Sequence, residues 1–145
     1  MTEVMFHLNV EDRLGYACRL LRKACAVDAR VVVSAPAQTL ARLDSLLWTF
    51  EPAAFVPHLR VALGAEVPAR LRDTPVWLVE QVEQAPHHDA LVNLGDDLVP
   101  GFESFDKVIE IVPDDEASRQ AARRRWKHYA ERGYALKRHE AKAPS

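Results

Sequence analysis

The chain has 145 residues, of which 48% are hydrophobic and 28% charged, and its formal net charge is −2. These values are typical of one globular domain with a single core, and they argue against binding nucleic acid through bulk positive charge. No apolar run is long enough to span a membrane, and the N-terminal segment lacks the features of a signal peptide. We therefore expect a cytoplasmic protein with no membrane association.

Five segments have the composition of buried strands. The first, residues 4–10, is short and apolar, and the second, residues 30–35, is a β-branched run typical of strands covered on both faces. Three more follow at residues 75–82, 90–94 and 107–112. Their continuous apolar character favours a mostly parallel sheet.

Three segments have apolar residues at helical spacing. The first follows Glu11 and Asp12, the second spans residues 37–50, and the third spans residues 114–134 and ends around Gly133. The alternation of strands and helices predicts an α/β fold of three layers, with helices on both faces of a five-stranded, Rossmann-like sheet.

The chain predicts a single domain over residues 1–136, followed by a polar, frayed tail over residues 137–145. Residues 51–73 contain three prolines and a glycine and have no clear periodicity. We expect a structured loop there, and long structured loops in compact domains are often functional.

A Rossmann-like sheet raises the question of nucleotide binding. The turn after the first strand presents Glu11 and Asp12, where a phosphate would need glycines and backbone amides. Neither GxGxxG nor GxxxxGK[ST] occurs, and no nucleophile elbow or zinc-ligand spacing is found. We therefore expect no cofactor and no metal, and a nucleotide-binding enzyme or sensor remains the alternative hypothesis.

Positive charge is concentrated near the C-terminus. Residues 114–145 contain nine Lys/Arg against five Asp/Glu, a net of +4, which leaves −6 on the rest of the chain. In the last helix, Arg119, Arg123 and Trp126 stand at i, i+4 and i+7, within about 60° of one another on the helical wheel. This edge suits a ligand that is both acidic and apolar, whereas a solvated basic face with one packed aromatic is the alternative interpretation.

Two further residues extend this hypothesis. If Trp48 and Val112 come near the last helix, they would line an apolar slot rimmed by guanidiniums. Such a slot suits a peptide ending in acids and an aromatic residue. Direct binding of single-stranded DNA by the basic helix is another possibility, which the acidic remainder of the chain disfavours.

Three segments are similar to one known family, the chi subunit of the bacterial DNA polymerase III holoenzyme. They are RLDSLLWTFEPAAFVPH at 42–58, ALVNLG at 90–95 and FDKVIEIVPDDEASRQAARRRWKHYAERGYAL at 105–136. The family has an LW pair followed by FVPH, then the step F-x-x-V-x-x-[FI]-V-x-x-[DE] and the helix AR-x-R-[YW]-x-x-Y-x-x-x-G-[FY]. Order and approximate spacing agree over most of the chain, and residues 59–71 match least.

The resemblance implies a non-catalytic accessory subunit of the clamp-loader complex in DNA replication. Such subunits bind the acidic, Phe-ended C-terminal tail of the single-stranded DNA-binding protein. By position, the tail site would comprise Trp48, Val112, Arg119, Arg123 and Trp126. Trp126 stands where tyrosine is frequent, so a phenol oxygen is lost, and Arg119 stands where lysine also occurs, so a forked donor is gained.

The same resemblance implies a protein partner, the psi subunit of DNA polymerase III, in a heterodimer. It assigns Phe55, Pro57 and His58, within FVPH, to the surface that faces psi. A purely structural turn is the alternative interpretation of this segment. We expect no strong direct binding of nucleic acid, because the chain outside the last helix is acidic.

Overall fold

The computed structural model describes residues 2–49 and 55–141. Its strands are β1 (Glu3–Val10), β2 (Val31–Ser34), β3 (His58–Arg60), β4 (Val76–Val79), β5 (Ala90–Asn93), β6 (Lys107–Pro113) and β7 (Ala135–Glu140). Its α-helices are α1 (Arg13–Ala26), α2 (Ala37–Thr49) and α3 (Glu116–Glu131). Short 3-10 helices span Ala69–Leu71, Val82–Gln84 and Phe102–Ser104.

The seven strands form one sheet in the order β3-β4-β2-β5-β6-β1-β7. All six pairings between the described strands are parallel. Every residue of the central strands β2 and β4 is buried, as their uninterrupted apolar sequences predict for strands covered on both faces. The α/β class and the layered arrangement are confirmed, and the sheet has two more strands than the five expected.

Helices cover both faces of the sheet. On one face, α1 and α2 contribute Leu21, Leu43 and Leu47 to a core that also contains Ile111 of β6. On the other face, α3 packs over a second core, to which it contributes Tyr129. Phe102 and Phe105, from the segment before β6, are also buried in this second core.

Acidic residues cap two of the helices. The Asp12 carboxylate accepts a hydrogen bond from the Gly15 amide at 3.1 Å, and Asp115 accepts one from the Ser118 amide at 2.8 Å. Each carboxylate satisfies an amide that has no partner within its helix. Beyond α3, Gly133 has a φ of 77°, in the left-handed region that favours glycine and ends the helix.

The prediction of a frayed tail from residue 137 is wrong for residues 137–140. These residues belong to β7, which pairs with β1 along its whole length, so the expected boundary at Leu136 falls inside a strand. Since β7 lies at the edge of the sheet and its side chains are mostly exposed, its sequence, ALKRHE, has no apolar run to indicate a strand. Residues 142–145 of the predicted tail lie outside the described residues.

The other unexpected strand lies in the irregular segment. Residues 58–60 form β3, which pairs with β4 at the opposite edge of the sheet from β7. A three-residue strand is too short to give a periodic signal. The predicted end of the second helix at Phe50 lies outside the described residues. Within residues 2–49 and 55–141, no helix is both long and apolar enough to cross a membrane.

Candidate functional site

An open groove of about 360 Å³ lies where β6, β1 and β7 end, beside residues 119–126 of α3. Its lining residues are Phe6, Leu8, Asn9, Val112, Arg119, Ala122, Arg123, Trp126 and Arg138. Four of the five residues predicted for the tail site are therefore together: Val112, Arg119, Arg123 and Trp126. The volume is within the range of small-ligand sites.

Chain topology explains why a groove forms at this point. From β1 the chain continues through α1 to β2, toward one edge of the sheet, with α1 on one face. From β6, the strand beside β1, it continues through α3 to β7 at the other edge, with α3 on the opposite face. Because the two connections leave the sheet on opposite faces, a crevice opens at the carboxyl ends of β1 and β6, where ligands of α/β proteins usually bind.

The floor of this groove is apolar. The side chains of Phe6 and Val112 are buried beneath it, and Trp126 is partly buried beside them. The rings of Phe6 and Trp126 meet edge to face, with centroids 5.1 Å apart and planes at 61°. Edge-to-face contact is a favourable geometry for two aromatic rings, so Trp126 has a defined position.

Arginines form the rim along α3. Arg119 and Arg123 lie on the same side of the helix, and both are paired with Glu116. Its carboxylate oxygens are 3.9 Å from Arg119 Nη1 and 3.5 Å from Arg123 Nη1. All three side chains are well exposed, so these long contacts stabilise the helix little. Glu116 is thus the acidic partner of both arginines on this rim.

Sequence reasoning missed five residues of the groove, Phe6, Leu8, Asn9, Ala122 and Arg138. Two of these, Asn9 and Arg138, are polar. Asn9 adopts a φ of 58° at an irregularity in the β1–β6 pairing between His7 and Val10. Left-handed asparagine is a known conformation in turns and bulges, but no sequence pattern marks it here. Arg138 lies in β7, opposite Phe6 in register, and the strand prediction did not extend to it.

Trp48 does not join this groove, contrary to the prediction. It lies near the end of α2, on the other face of the sheet, and its ring is 5.7 Å from that of Phe55 and 4.9 Å from that of His58. β3, which contains His58, is five strand positions from β1, or about 24 Å at about 4.8 Å per strand. The helical spacing that buries Leu47 and its neighbours also directs Trp48 away from the core, toward FVPH.

Trp48 and Phe55 instead form an exposed aromatic pair, which we call the Trp48–Phe55 patch. Their exposed fractions are 60% and 67%, unusually high for large apolar side chains. Pro57 is partly buried nearby along the chain. The three residues predicted to face psi thus lie beside Trp48, at one edge of the sheet, well away from the groove.

His58 has a structural part in that region. Its side chain is only 1% exposed, and its Nε2 is 2.8 Å from Asp44 Oδ1. Its Nδ1 is 2.7 Å from the Val56 carbonyl, and Arg60 Nε is 3.3 Å from Asp44 Oδ2. These contacts attach FVPH to α2, so His58 supports the Trp48–Phe55 patch rather than exposing its own surface.

A buried polar network holds α3 on the sheet. Glu110 of β6 and Arg125 of α3 are 0% and 4% exposed and are paired through Oε1 and Nε at 3.0 Å. The same oxygen accepts from Asn93 at 2.9 Å, and Oε2 accepts from the Tyr129 hydroxyl at 2.7 Å. Arg125 also donates to the Asp96 carbonyl. Since Arg125 stands between Arg123 and Trp126, the network fixes the part of α3 that faces the groove.

Opposing effects act on the pKa values of this network. Burial raises the pKa of Glu110, whereas the charge of Arg125 and the hydrogen bonds from Tyr129, Arg125 and Asn93 lower it. Burial and the neighbouring Glu110 carboxylate both raise the pKa of Tyr129. Tyr129, Ala121 and Ala122 are buried on the side of α3 that packs on the sheet. Arg125 lies on the same inward side of α3. Its helical spacing from those three residues was the feature of the sequence that could have indicated its burial.

The nucleotide alternative gains no support from the geometry. The helices beside the crevice begin at Asp12 and Asp115, whose carboxylates bind their own helix amides. These amides are the groups that would otherwise contact a phosphate. In the part of the chain that the structure describes, no cluster of three or more His, Cys, Asp or Glu side chains is arranged to hold a metal ion.

Fold and site together define an α/β-layered protein that has a basic, ligand-sized groove at its sheet crevice in place of a glycine-rich phosphate loop. The model of one family, described as DNA polymerase III chi subunit, HolC, matches residues 1–137. The chain belongs to this family, which makes it a DNA polymerase III subunit of DNA replication and confirms the resemblance.

Three curated relatives support the assignment. The DNA polymerase III subunit chi of Pseudomonas aeruginosa PAO1 is 35% identical over 147 aligned residues, which cover 96% of each chain. That of Haemophilus influenzae Rd is 29% identical, covering 89% of this chain and 85% of its own. That of Escherichia coli K12 is 27% identical, covering 82% of this chain and 79% of its own.

Proposed function

We propose that this protein is a non-catalytic adaptor of the clamp-loader complex, which binds the acidic, Phe-ended C-terminal tail of the single-stranded DNA-binding protein. The main support is the groove, because it brings Arg119 and Arg123 beside an apolar floor made of Phe6, Val112 and Trp126. A terminal phenylalanine combines an apolar ring with a carboxylate a few ångströms away. The groove presents groups complementary to both.

Charge is expected to guide and strengthen this binding. The chain as a whole is acidic, with a net charge of −2, but the lining of the groove contains three arginines and no acid. Guanidinium groups bind carboxylates with two parallel hydrogen bonds, which favours an aspartate or a terminal carboxylate. Affinity in the micromolar range that falls with added salt is the expected behaviour.

The competing carboxylate of Glu116 offers a specific test. Replacing Glu116 with glutamine removes the negative charge paired with Arg119 and Arg123, so an acidic peptide ending in phenylalanine should bind about twofold to threefold more tightly. Glu131→Gln is the matched control, because Glu131 is on the same helix and pairs with Lys127. Calorimetric titration of both variants measures the difference, and equal affinities would contradict the role given to Glu116.

We further propose that the Trp48–Phe55 patch pairs with the psi subunit. Its support is the exposure of two large aromatic rings side by side, the type of feature that dominates protein interfaces. It lies on the opposite face of the sheet from the groove, so both partners can bind one molecule at the same time. His58, Asp44 and Arg60 hold the segment in place.

Replacing Phe55 with alanine should weaken psi binding at least about tenfold, because truncating an aromatic hot spot of an interface costs about 2 kcal/mol or more and about 1.4 kcal/mol corresponds to a factor of ten. Val27→Ala is the control, since Val27 is a still more exposed apolar residue on the described surface. The measurement is co-purification and titration of psi from the same organism. Normal psi binding by the Phe55 variant would rule out this surface, while peptide binding in the groove should be unchanged in both variants.

A further inference from the structure

We propose that Arg138 of β7 is a third ligand-binding arginine of the groove and that it binds an acidic side chain other than the acidic group bound by Arg119 and Arg123. This inference rests on the proposed tail-binding function. The ligand would then be recognised at two acidic positions, one on each side of its apolar anchor.

The register of the sheet places Arg138 on the groove side. β1 and β7 are parallel, and Phe6 is the partner of Arg138 in their pairing. Partners in a parallel pair direct their side chains to the same face, and two residues apart on a strand share a face. Phe6 and Leu136 both pack in the core beneath α3, so the Arg138 side chain also lies on that face.

Arg138 is available to a ligand. The neighbouring Lys137, on the other face of β7, pairs with Glu3 at 2.9 Å. In contrast, no carboxylate among residues 2–49 and 55–141 forms an ion pair with Arg138, and its side chain is exposed. Arg119 and Arg123 each have Glu116 as a partner. Arg138 is thus a groove arginine with no acidic partner among the residues that the structure describes.

The position of Arg138 separates it from the α3 pair. Arg119 and Arg123 lie on the helix above the sheet, whereas Arg138 lies on the edge strand, next to β1. Phe6 on β1 and Val112 on β6 contribute the apolar floor of the same groove. The three arginines around the groove repel one another. An acidic ligand with its apolar group on the floor would reduce this repulsion by placing negative charge beside the α3 pair and beside Arg138.

The test uses the full-length protein and a short synthetic peptide with several aspartates and a C-terminal phenylalanine. Arg138→Gln should weaken binding about threefold to fivefold, the range expected for one exposed ion pair. It should also reduce the dependence of affinity on salt. Arg42→Gln is the matched control, because Arg42 is an exposed arginine on α2, on the opposite face of the sheet. Both replaced side chains are exposed, so the melting temperatures should match that of the unmodified protein.

Peptides with aspartates changed to asparagine one at a time identify the acidic group. One of these asparagine peptides should bind the unmodified protein and the Arg138→Gln variant with equal affinity. In that peptide the aspartate that Arg138 would bind is already missing, so removing Arg138 has no further effect. If Arg138→Gln behaves like Arg42→Gln while Arg123→Ala weakens binding, the inference about Arg138 fails and the proposed function stands. If neither Arg123→Ala nor Arg138→Gln changes the affinity, the proposed groove itself is wrong.

Discussion

Replacing Arg123 with alanine is expected to weaken binding of the acidic, Phe-ended peptide at least about tenfold. Hydrogen bonds to charged groups contribute about 1.5–3 kcal/mol, and about 1.4 kcal/mol corresponds to a factor of ten in affinity. Arg123 is the groove arginine nearest along α3 to Trp126, where a ring and its adjacent carboxylate would be held together. Isothermal titration with the synthetic peptide measures the change.

Arg124→Ala is the control for that experiment. Arg124 is adjacent, equally charged and exposed, but it is turned away from the groove by about 100°. The two variants therefore lose the same charge from the same helix. Both should remain folded, because neither guanidinium is buried. Equal affinities of the Arg123 and Arg124 variants would show that only general positive charge attracts the peptide.

Replacing Arg125 with methionine is expected to destabilise the protein by about 3–5 kcal/mol, the cost typical of leaving one charge of a buried pair without its partner. Glu110 would keep its hydrogen bonds from Asn93 and Tyr129 but would lose the only cation paired with it among the described residues. Thermal and urea unfolding measure the loss, and we expect the melting temperature to fall by roughly 10 °C or more.

This loss should depend on pH. Burial raises the folded-state pKa of Glu110 above its unfolded value, near 4.5, so the ionised carboxylate opposes folding increasingly as the pH rises above that value. Arg125 counteracts the rise, and without it the pKa of Glu110 increases further. The destabilisation caused by Arg125→Met should therefore be larger at pH 7.5 than at pH 5. An equal loss at both pH values would contradict the role of charge in this network.

The double variant Glu110→Gln with Arg125→Met provides the control. Replacing the carboxylate by a neutral amide removes the uncompensated charge, so the double variant should recover part of the stability lost by Arg125→Met and should show little pH dependence from this site. Failure to recover stability would indicate that Arg125 contributes through packing or through its hydrogen bond to the Asp96 carbonyl.

Much of the fold could be predicted because its central strands and helices have strong periodic signals. The apolar runs around Val32 and Leu78 predicted strands that are buried on both faces, and the acids Glu11 and Asp12 marked the start of the first helix. The edge strands gave no such signal. β7 is polar because most of its side chains are exposed, and its hydrogen bonds come from pairing with β1, a contact between distant parts of the chain.

The candidate site shows the same limits. Arg119, Arg123 and Trp126 belong to one helix, so helical spacing alone placed them on one edge, and the structure adds Val112 beside them. The position of Trp48 depends on contacts between elements that are distant in sequence. The resemblance placed Trp48 in the tail site, but the sheet lies between Trp48 and the other residues of that site. Arg138 reaches the groove only through the register of β7, which the sequence did not reveal.

The central claim is that the groove beside α3 binds the tail of the single-stranded DNA-binding protein. The most direct test is a titration of this protein with the intact single-stranded DNA-binding protein from the same organism and with a version that lacks its last few residues. We predict micromolar binding of the intact partner, weakened by salt, and no measurable binding of the truncated one. Equal affinity for the two versions would contradict the claim.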